Sequence, residues 1–336
     1  MIEAAGAELV HTRLRRGFRN PVSEIRGMIE LYRIYRRIKP DLVHHVTPKS
    51  SLFGSCAAWL SGIPGVVNAL AGLGYLYASS GLQARILRPA VTLAFRFFLG
   101  RGRSRVIVQN SDDQEFFSNV IGIDPDRVVL IKGSGVDISK FQPVEPPPAD
   151  KIRICLVARM IWEKGVRELV AAARRIKDMR DDIEFILVGD TDTESPSGVP
   201  EESLRSWHKE GVITWLGHVD NVPALLNGCH IALLPTYREG FPKSLLEAAA
   251  CGLPIVATDV TGCREICHHQ INGLMIRPRD VDSIVAAVSR LADDPQMRSR
   301  FGRESRRLVE AYFSEEIVVE QTMEVYRSMQ QELEVR

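Results

Sequence analysis

Residues 230–265 read HIALLPTYREGFPKSLLEAAACGLPIVATDVTGCRE. Ile231 to Leu234 is an apolar run long enough for one buried strand, and Pro235 ends it. A polar loop follows from Thr236 to Gly240. Pro242 suits the first position of a helix and Gly252 the position just past its end. A second apolar strand runs from Pro254 to Thr258. Short β-α-β units of this kind belong to parallel sheets covered on both faces, so the stretch makes the chain α/β.

Glu247 stands between Leu246 and three alanines, in a helix that reads as mostly buried. A carboxylate there is costly without a partner. Glu239 lies eight residues earlier, at the mouth of the same helix. The free backbone N–H groups near Phe241, Lys243 and Ser244 make that mouth an anion site. Two carboxylates bracketing an anion site suit a ligand with phosphate at its centre and hydroxyls at each end, which describes a nucleotide sugar. A loop glutamate and a helix glutamate in ordinary salt bridges would give the same sequence.

The Glu-x7-Glu spacing within EGFPKSLLEAAACGLPIVATDVTGCREI closely resembles the signature of the family 4 retaining glycosyltransferases of the GT-B fold. The resemblance extends from about residue 40 to the C-terminus. It is nearest to bacterial members that extend polyprenyl-linked cell-surface glycans.

The composition is that of a soluble globular chain: 336 residues, 45% hydrophobic and 25% charged, a length that favours two domains. Cysteines 56, 155, 229, 251, 263 and 267 show no disulfide-like spacing, which points to a reducing cytoplasm. Cys263-x3-Cys267 followed by His268 and His269 fits no common zinc pattern. Met1 to Ala7 is too short for a signal peptide and has no apolar core. It reads as the tail of a helix, with a strand at Glu8 to Thr12, so the first domain is expected to be incomplete at its N-terminus and the chain N-terminally truncated. Charge is unevenly spread: residues 1–105 hold 16 Lys+Arg against 5 Asp+Glu, the remainder 27 against 37, so the two parts carry +11 and −10. The basic part suits an anionic membrane, since Arg85, Arg88, Arg96, Arg101, Arg103 and Arg105 thread through VTLAFRFFLG and Arg13, Arg15, Arg16 and Arg19 form a second cluster. A solvated basic face with core phenylalanines is the alternative. No nucleic-acid motif accompanies the charge.

Residues 51–84 carry no charge, but Gly62, Pro64, Gly65, Gly72 and Gly74 break the run into helix, turn, strand and glycine loop rather than a membrane span. AGLGY resembles the family's TGLGY segment and places Gly72 and Gly74 on the acceptor side. It is not a dinucleotide fingerprint, because Tyr77 stands where a third glycine is needed. The expected strand Asp41 to Val46 ends at a loop with Thr47 and Lys49, also assigned to the acceptor side. In relatives a histidine at this strand end approaches the donor sugar. Val46 occupies the usual position, and His45 is the candidate here. RVIVQ (105–109) and RVVLI (127–131) read as strands. GSGVD (133–137) resembles the family's NGVD turn, and PVEPPPAD reads as a linker.

In the second half, the strand Ile152 to Ala158 is followed by Arg159 and Lys164. Ligands of open α/β sheets bind beyond the carboxyl ends of the strands, so both cations fall where a diphosphate would sit. They match the family's R-x4-K pair, which grips the two phosphates. Strand Glu184 to Val188 ends in GDTD, bringing Gly189 and Asp190 to the donor side. Asp190-x-Asp192 also imitates a metal-binding D-x-D. Strand Val212 to Leu216 ends in GHVDN, and the resemblance makes the backbone around Gly217 and Val219 the seat of the base. The resemblance gives Glu239 the sugar hydroxyls and Glu247 the ribose hydroxyls. Gly240, Phe241, Pro242, Lys243 and Leu246 complete the donor side.

The expectation is therefore two Rossmann-like domains facing across a cleft: residues 1–143 for the acceptor, 144–150 as linker, 151–314 for the donor, and 315–336 as a helix crossing back. The resemblance implies transfer, with retention, of a hexosyl or N-acetylhexosaminyl group from a UDP-sugar to a lipid-linked (polyprenyl-diphosphate) or saccharide acceptor in cell-surface glycan synthesis. Arg159, Lys164, Glu239 and His45 are the catalytic candidates. Neither a metal nor another cofactor is expected, nor a nucleic-acid partner. The expected location is cytoplasmic, peripheral at the inner face of the plasma membrane. Two alternatives stay open: a sugar-nucleotide epimerase on the same fold, and an inactive donor-binding relic.

Overall fold

The computed structural model describes residues 6–12, 14, 21–70, 72, 82–144, 150–192 and 195–334. The chain divides into two compact units: residues up to Ile131 joined by those from Thr322 onward, and Lys132–Gln321.

The first unit is a parallel α/β layer. Its elements are α1 (Pro21–Ile38), β1 (Leu42–Val46), α2 (Pro48–Ser61), β2 (Gly65–Leu70), α3 (Leu82–Leu99), β3 (Arg103–Val108), the short α4 (Ser111–Glu115) and β4 (Val128–Leu130). Among the described residues its sheet runs β1-β2-β3-β4, all parallel. Residues 7–12, expected as a strand from Glu8, have no regular structure. The physical reason is visible in Leu9, which is exposed: the segment buries no residue fully and pairs with no strand among the described residues, so it gains no ladder bonds. The basic cluster at Arg13, Arg15, Arg16 and Arg19 lies outside the described residues, as do Gly74 and residues 145–149 of the expected linker. The uncharged stretch folds as α2, a turn and β2, and among the described residues no helix is long and apolar enough to cross a membrane.

The second unit holds β5 (Ile152–Val157), α5 (Val166–Met179), β6 (Ile183–Val188), α6 (Glu201–Lys209), β7 (Thr214–Trp215), α7 (Val222–Asn227), β8 (Ile231–Leu234), α8 (Lys243–Ala250), β9 (Ile255–Thr258), the single turn α9 (Thr261–Arg264), β10 (Gly273–Ile276), α10 (Val281–Asp293) and α11 (Pro295–Tyr312). The final helix α12 (Glu315–Glu334) begins in this unit and ends in the first. The strand order is β10-β9-β8-β5-β6-β7, entirely parallel. The chain thus winds one way from β5 to β7, returns to β8 beside β5, and winds the other way. Right-handed crossovers then put helices on both faces. Accordingly α5 packs on α10, and α8 on α11. All four residues of β8 and of β9 are buried, the signature of a sheet covered on both sides.

Candidate functional site

The strand order reverses between β5 and β8, and in open α/β sheets ligands bind beyond the carboxyl ends of the strands at such a reversal. Arg159 lies just beyond β5, and Lys164 closes the single turn Trp162–Lys164. Gly165 follows in the left-handed region at φ 73°, and a Cβ there would stand 2.0 Å from the Pro235 carbonyl oxygen. Only glycine lets the loop after β5 touch the loop after β8 this closely.

Hydrogen bonds fasten the two loops together. The Glu163 carbonyl accepts from Tyr237 N–H at 2.8 Å and from the Thr236 hydroxyl at 3.0 Å. The Tyr237 hydroxyl reaches both oxygens of the buried Glu168 carboxylate, at 2.9 and 2.8 Å. Burial, with Glu168 beside it, pushes the Tyr237 phenol up to about 12, so it stays a proton donor. The outcome is that Lys164 and Glu239, 75 positions apart, meet in a partly buried ion pair. Arg159 forms its own ion pair with Asp192.

Glu247 lies on α8, half-buried. Burial raises its carboxyl above the usual range, while Lys243 and Lys140 pull the other way. Phe241 packs edge-on against Phe313, with centroids 5.4 Å apart, and covers Gly133, where a Cβ would meet the ring at 2.6 Å. Leu246 is fully buried and its N–H already bonds Pro242 O at 3.2 Å, so the donor-side role expected of it is corrected to core packing. Pro242 is buried and caps α8, whereas Lys243 is exposed at its first turn.

Gly189 and Gly217 are joined directly, Gly189 N–H donating to Gly217 O at 2.7 Å. Trp215 Nε1 donates to Gly189 O at 3.0 Å. Asp190 is exposed above them, and Val219 packs on the core. Among the described residues no group of three or more His, Cys, Asp or Glu side chains converges, and Asp192 of the D-x-D pattern faces Arg159. Cys263 and Cys267 are buried thiols pushed up by burial, Cys267 to about 12.

In the first unit His45 departs from the catalytic expectation. It is buried, with Nε2 at 2.8 Å from the Tyr35 hydroxyl and Nδ1 at 2.9 Å from Asn68 Oδ1. Ser55 Oγ donates to the same Asn68 oxygen at 3.0 Å, and Asn68 Nδ2 donates to Ser104 Oγ at 3.4 Å. The Asn68 oxygen therefore accepts His45 Nδ1–H, and Nε2 accepts from Tyr35. Burial lowers the imidazole below its ordinary value, which fits a neutral ring. The ring also sits against Gly54, where a Cβ would stand 2.3 Å away. Both nitrogens are spent on the core, so His45 holds the first unit together rather than facing a substrate. Thr47 takes φ 86°, strained for a β-branched residue, and caps the start of α2. Lys49 pairs with Glu24 at 2.6 Å. Gly72 turns tightly after β2, its N–H bonding Leu70 O at 2.9 Å.

Several participants had little or no sequence signal. Glu168 is the legible one, a carboxylate on the apolar stripe of α5. Thr236, Tyr237 and Asp192 gain their roles only through partners distant in the chain.

Comparisons with known proteins agree with the fold. Residues 151–294 match the family model described as glycosyl transferases group 1, and residues 2–110 match that of the glycosyl transferase 4-like domain. The chain is 28% identical, over 96% of its length and 86% of the relative, to an N,N'-diacetylbacillosaminyl-diphospho-undecaprenol alpha-1,3-N-acetylgalactosaminyltransferase of Campylobacter jejuni. It is 25% identical, over 81% of its length and 72% of the relative, to an Escherichia coli UDP-Gal:alpha-D-GlcNAc-diphosphoundecaprenol alpha-1,3-galactosyltransferase. Among solved structures, sucrose-phosphate synthase of Thermosynechococcus elongatus superposes with TM-score 0.80 at 22% identity, over 92% of this chain and 79% of that one. Anabaena HepE in complex with UDP gives TM-score 0.77 at 19% identity, over 92% and 84%. The epimerase and relic alternatives find no support in these matches. With one glycosyltransferase model on each half and GT-B structures as its neighbours, the chain belongs to the group 1, family 4-like glycosyltransferases of the GT-B fold.

Proposed function

We propose that the protein transfers, with retention, a hexosyl or N-acetylhexosaminyl group from a UDP-sugar to a polyprenyl-diphosphate-linked acceptor in cell-surface glycan synthesis. The observation that carries this is the meeting of Lys164 and Glu239, with Arg159 alongside, where the strand order of the second unit reverses. The cations and the mouth of α8 at Gly240 to Lys243 stabilise charge developing on the departing diphosphate. Glu239 binds sugar hydroxyls and Glu247 the ribose. The positive charge comes from side chains, so no metal is needed. Calorimetry with UDP in excess EDTA tests the donor: UDP is expected to bind unaided. Binding that requires Mn, or none to any nucleoside diphosphate, overturns the assignment. Proton NMR of the glycosidic product reads retention directly.

The acceptor class rests on two relatives whose names specify diphosphoundecaprenol-linked substrates. It is supported by a surface of the first unit. Between Asp41 and Asp112 the sequence contains no carboxylate and seven Lys or Arg. On α3, Ile86 and Leu93, one above the other at i and i+7, are 67% and 68% exposed, and Trp59 nearby is 53% exposed. Trp59 packs edge-on against Phe97 at 5.8 Å, and the Arg101 guanidinium lies 3.9 Å over that ring. Exposed apolar side chains rimmed by arginine suit the interfacial zone of an anionic leaflet, here the inner face of the plasma membrane. Each cation near such a surface contributes about 1 kcal/mol, and salt screens it. Co-sedimentation with phosphatidylglycerol vesicles is expected to fall steeply as salt rises, and Ile86→Ser with Leu93→Ser to weaken it further. Indifference to these vesicles at low salt removes the peripheral location.

A further inference from the structure

The loop after β6 is built as a flap along the loop after β5. Met160 N–H donates to Asp190 O and Val199 N–H to Met160 O, each at 2.9 Å, and Trp162 N–H donates to Ser197 O at 2.9 Å. Gly198 packs so closely on Asp192 that a Cβ would stand 2.4 Å from the Asp192 carbonyl oxygen. Asp192 is held by its own carbonyl, which accepts from Ser195 N–H at 3.1 Å, and its carboxylate faces Arg159, 33 positions earlier. The arginine is the more exposed partner: its side chain is 59% exposed, against 21% for the aspartate. Asp192 has no role in the donor assignment above, and among the described residues it belongs to no metal-like cluster.

From this we propose that Asp192 is a built-in competitor of the donor diphosphate for Arg159. In the free enzyme the carboxylate holds the guanidinium that the phosphates need. When a UDP-sugar binds, Arg159 exchanges one anion for another, and the fixed carboxylate remains close enough to repel the ligand. Nucleoside diphosphate is therefore held less tightly than the two cations alone would hold it. The same competition favours release of UDP after transfer, because Arg159 has a partner to return to. This inference rests on the reading of Arg159 as a diphosphate ligand.

The test is calorimetry of UDP binding to the full chain and to Asp192→Asn, Arg159→Ala and the double variant, with product-inhibition kinetics for the single aspartate change. Asparagine keeps the shape of the side chain and loses the charge. Asp192→Asn is expected to bind UDP about three- to fivefold more tightly, the range of an exposed ion pair, and to be inhibited by UDP at correspondingly lower concentration. The gain is expected to shrink with added salt and to vanish in the Arg159→Ala background. A role confined to holding the loop would lower the melting temperature without tightening UDP. If Arg159→Ala weakens UDP while Asp192→Asn leaves it unchanged or weaker, the competition is overturned and the donor assignment stands. If Arg159→Ala binds UDP as the wild type does, the donor assignment falls and the inference with it.

Discussion

Lys164→Ala is expected to remove most of the transferase activity, lowering kcat/KM by about a hundredfold or more. Two losses combine. A charge-assisted contact to phosphate contributes on the order of 1.5–3 kcal/mol, and it strengthens as the leaving diphosphate gains charge. Glu239, whose side chain is only 13% exposed, also loses its cation. An unpaired carboxylate beside the phosphate site then opposes the donor. Together these cost about 3–4 kcal/mol, and each 1.36 kcal/mol is tenfold in rate. Steady-state kinetics with the UDP-sugar check this. A Lys164→Ala enzyme with wild-type kcat/KM would show that the pair is only a structural salt bridge. Adding Glu239→Gln and measuring the affinity for UDP, which lacks the sugar that Glu239 binds, separates the two losses, because it relieves the stranded charge without restoring the phosphate contact.

The second large effect is on folding. Gly189→Ala is expected to destabilise the second unit by about 3 kcal/mol or more, lowering Tm by roughly 6–12 °C. Gly189 has φ 133°, and a Cβ there would lie 1.9 Å from the Ala158 carbonyl oxygen. That oxygen is backbone at the end of β5, so relief requires moving the strand that carries Arg159. Gly211→Ala is the control. Its φ is 66°, and its only near neighbour is the flexible Lys177 ammonium at 3.2 Å. It carries the backbone strain without the collision and costs about 1 kcal/mol. Differential scanning calorimetry that finds both variants equally stable would show that the sheet end yields freely.

Much of the site was legible. Strands β5, β6, β8 and β9 were readable from apolar runs closed by Gly, Pro or a polar loop, within a residue or two. The spacing of Glu239 and Glu247 announced a helix with one carboxylate at its mouth and one within it, and α8 begins after Glu239 and carries Glu247. Arg159 and Lys164 were read as following a buried strand, and both lie just beyond β5. The failures share a cause. Residues 8–12 carry the adjacent apolar pair Leu9 and Val10 but pair with no strand among the described residues. His45 sits at a strand end, where a donor contact was expected, yet Tyr35 and Asn68 claim both its nitrogens. Leu246 stands in the motif but points into the core.

The sequence by itself determined which segments become buried parallel strands, which turns demand glycine or proline, and which charged residues follow the strands. These depend on local hydrophobicity and on backbone freedom, which neighbouring residues set. Only the tertiary structure decided the order β10-β9-β8-β5-β6-β7, and with it the side-by-side placement of β5 and β8. It also decided that Lys164 takes Glu239 and Arg159 takes Asp192. Strand order and charge pairing join residues far apart in the chain. Their energies depend on distance and burial in the folded state, which no local pattern encodes.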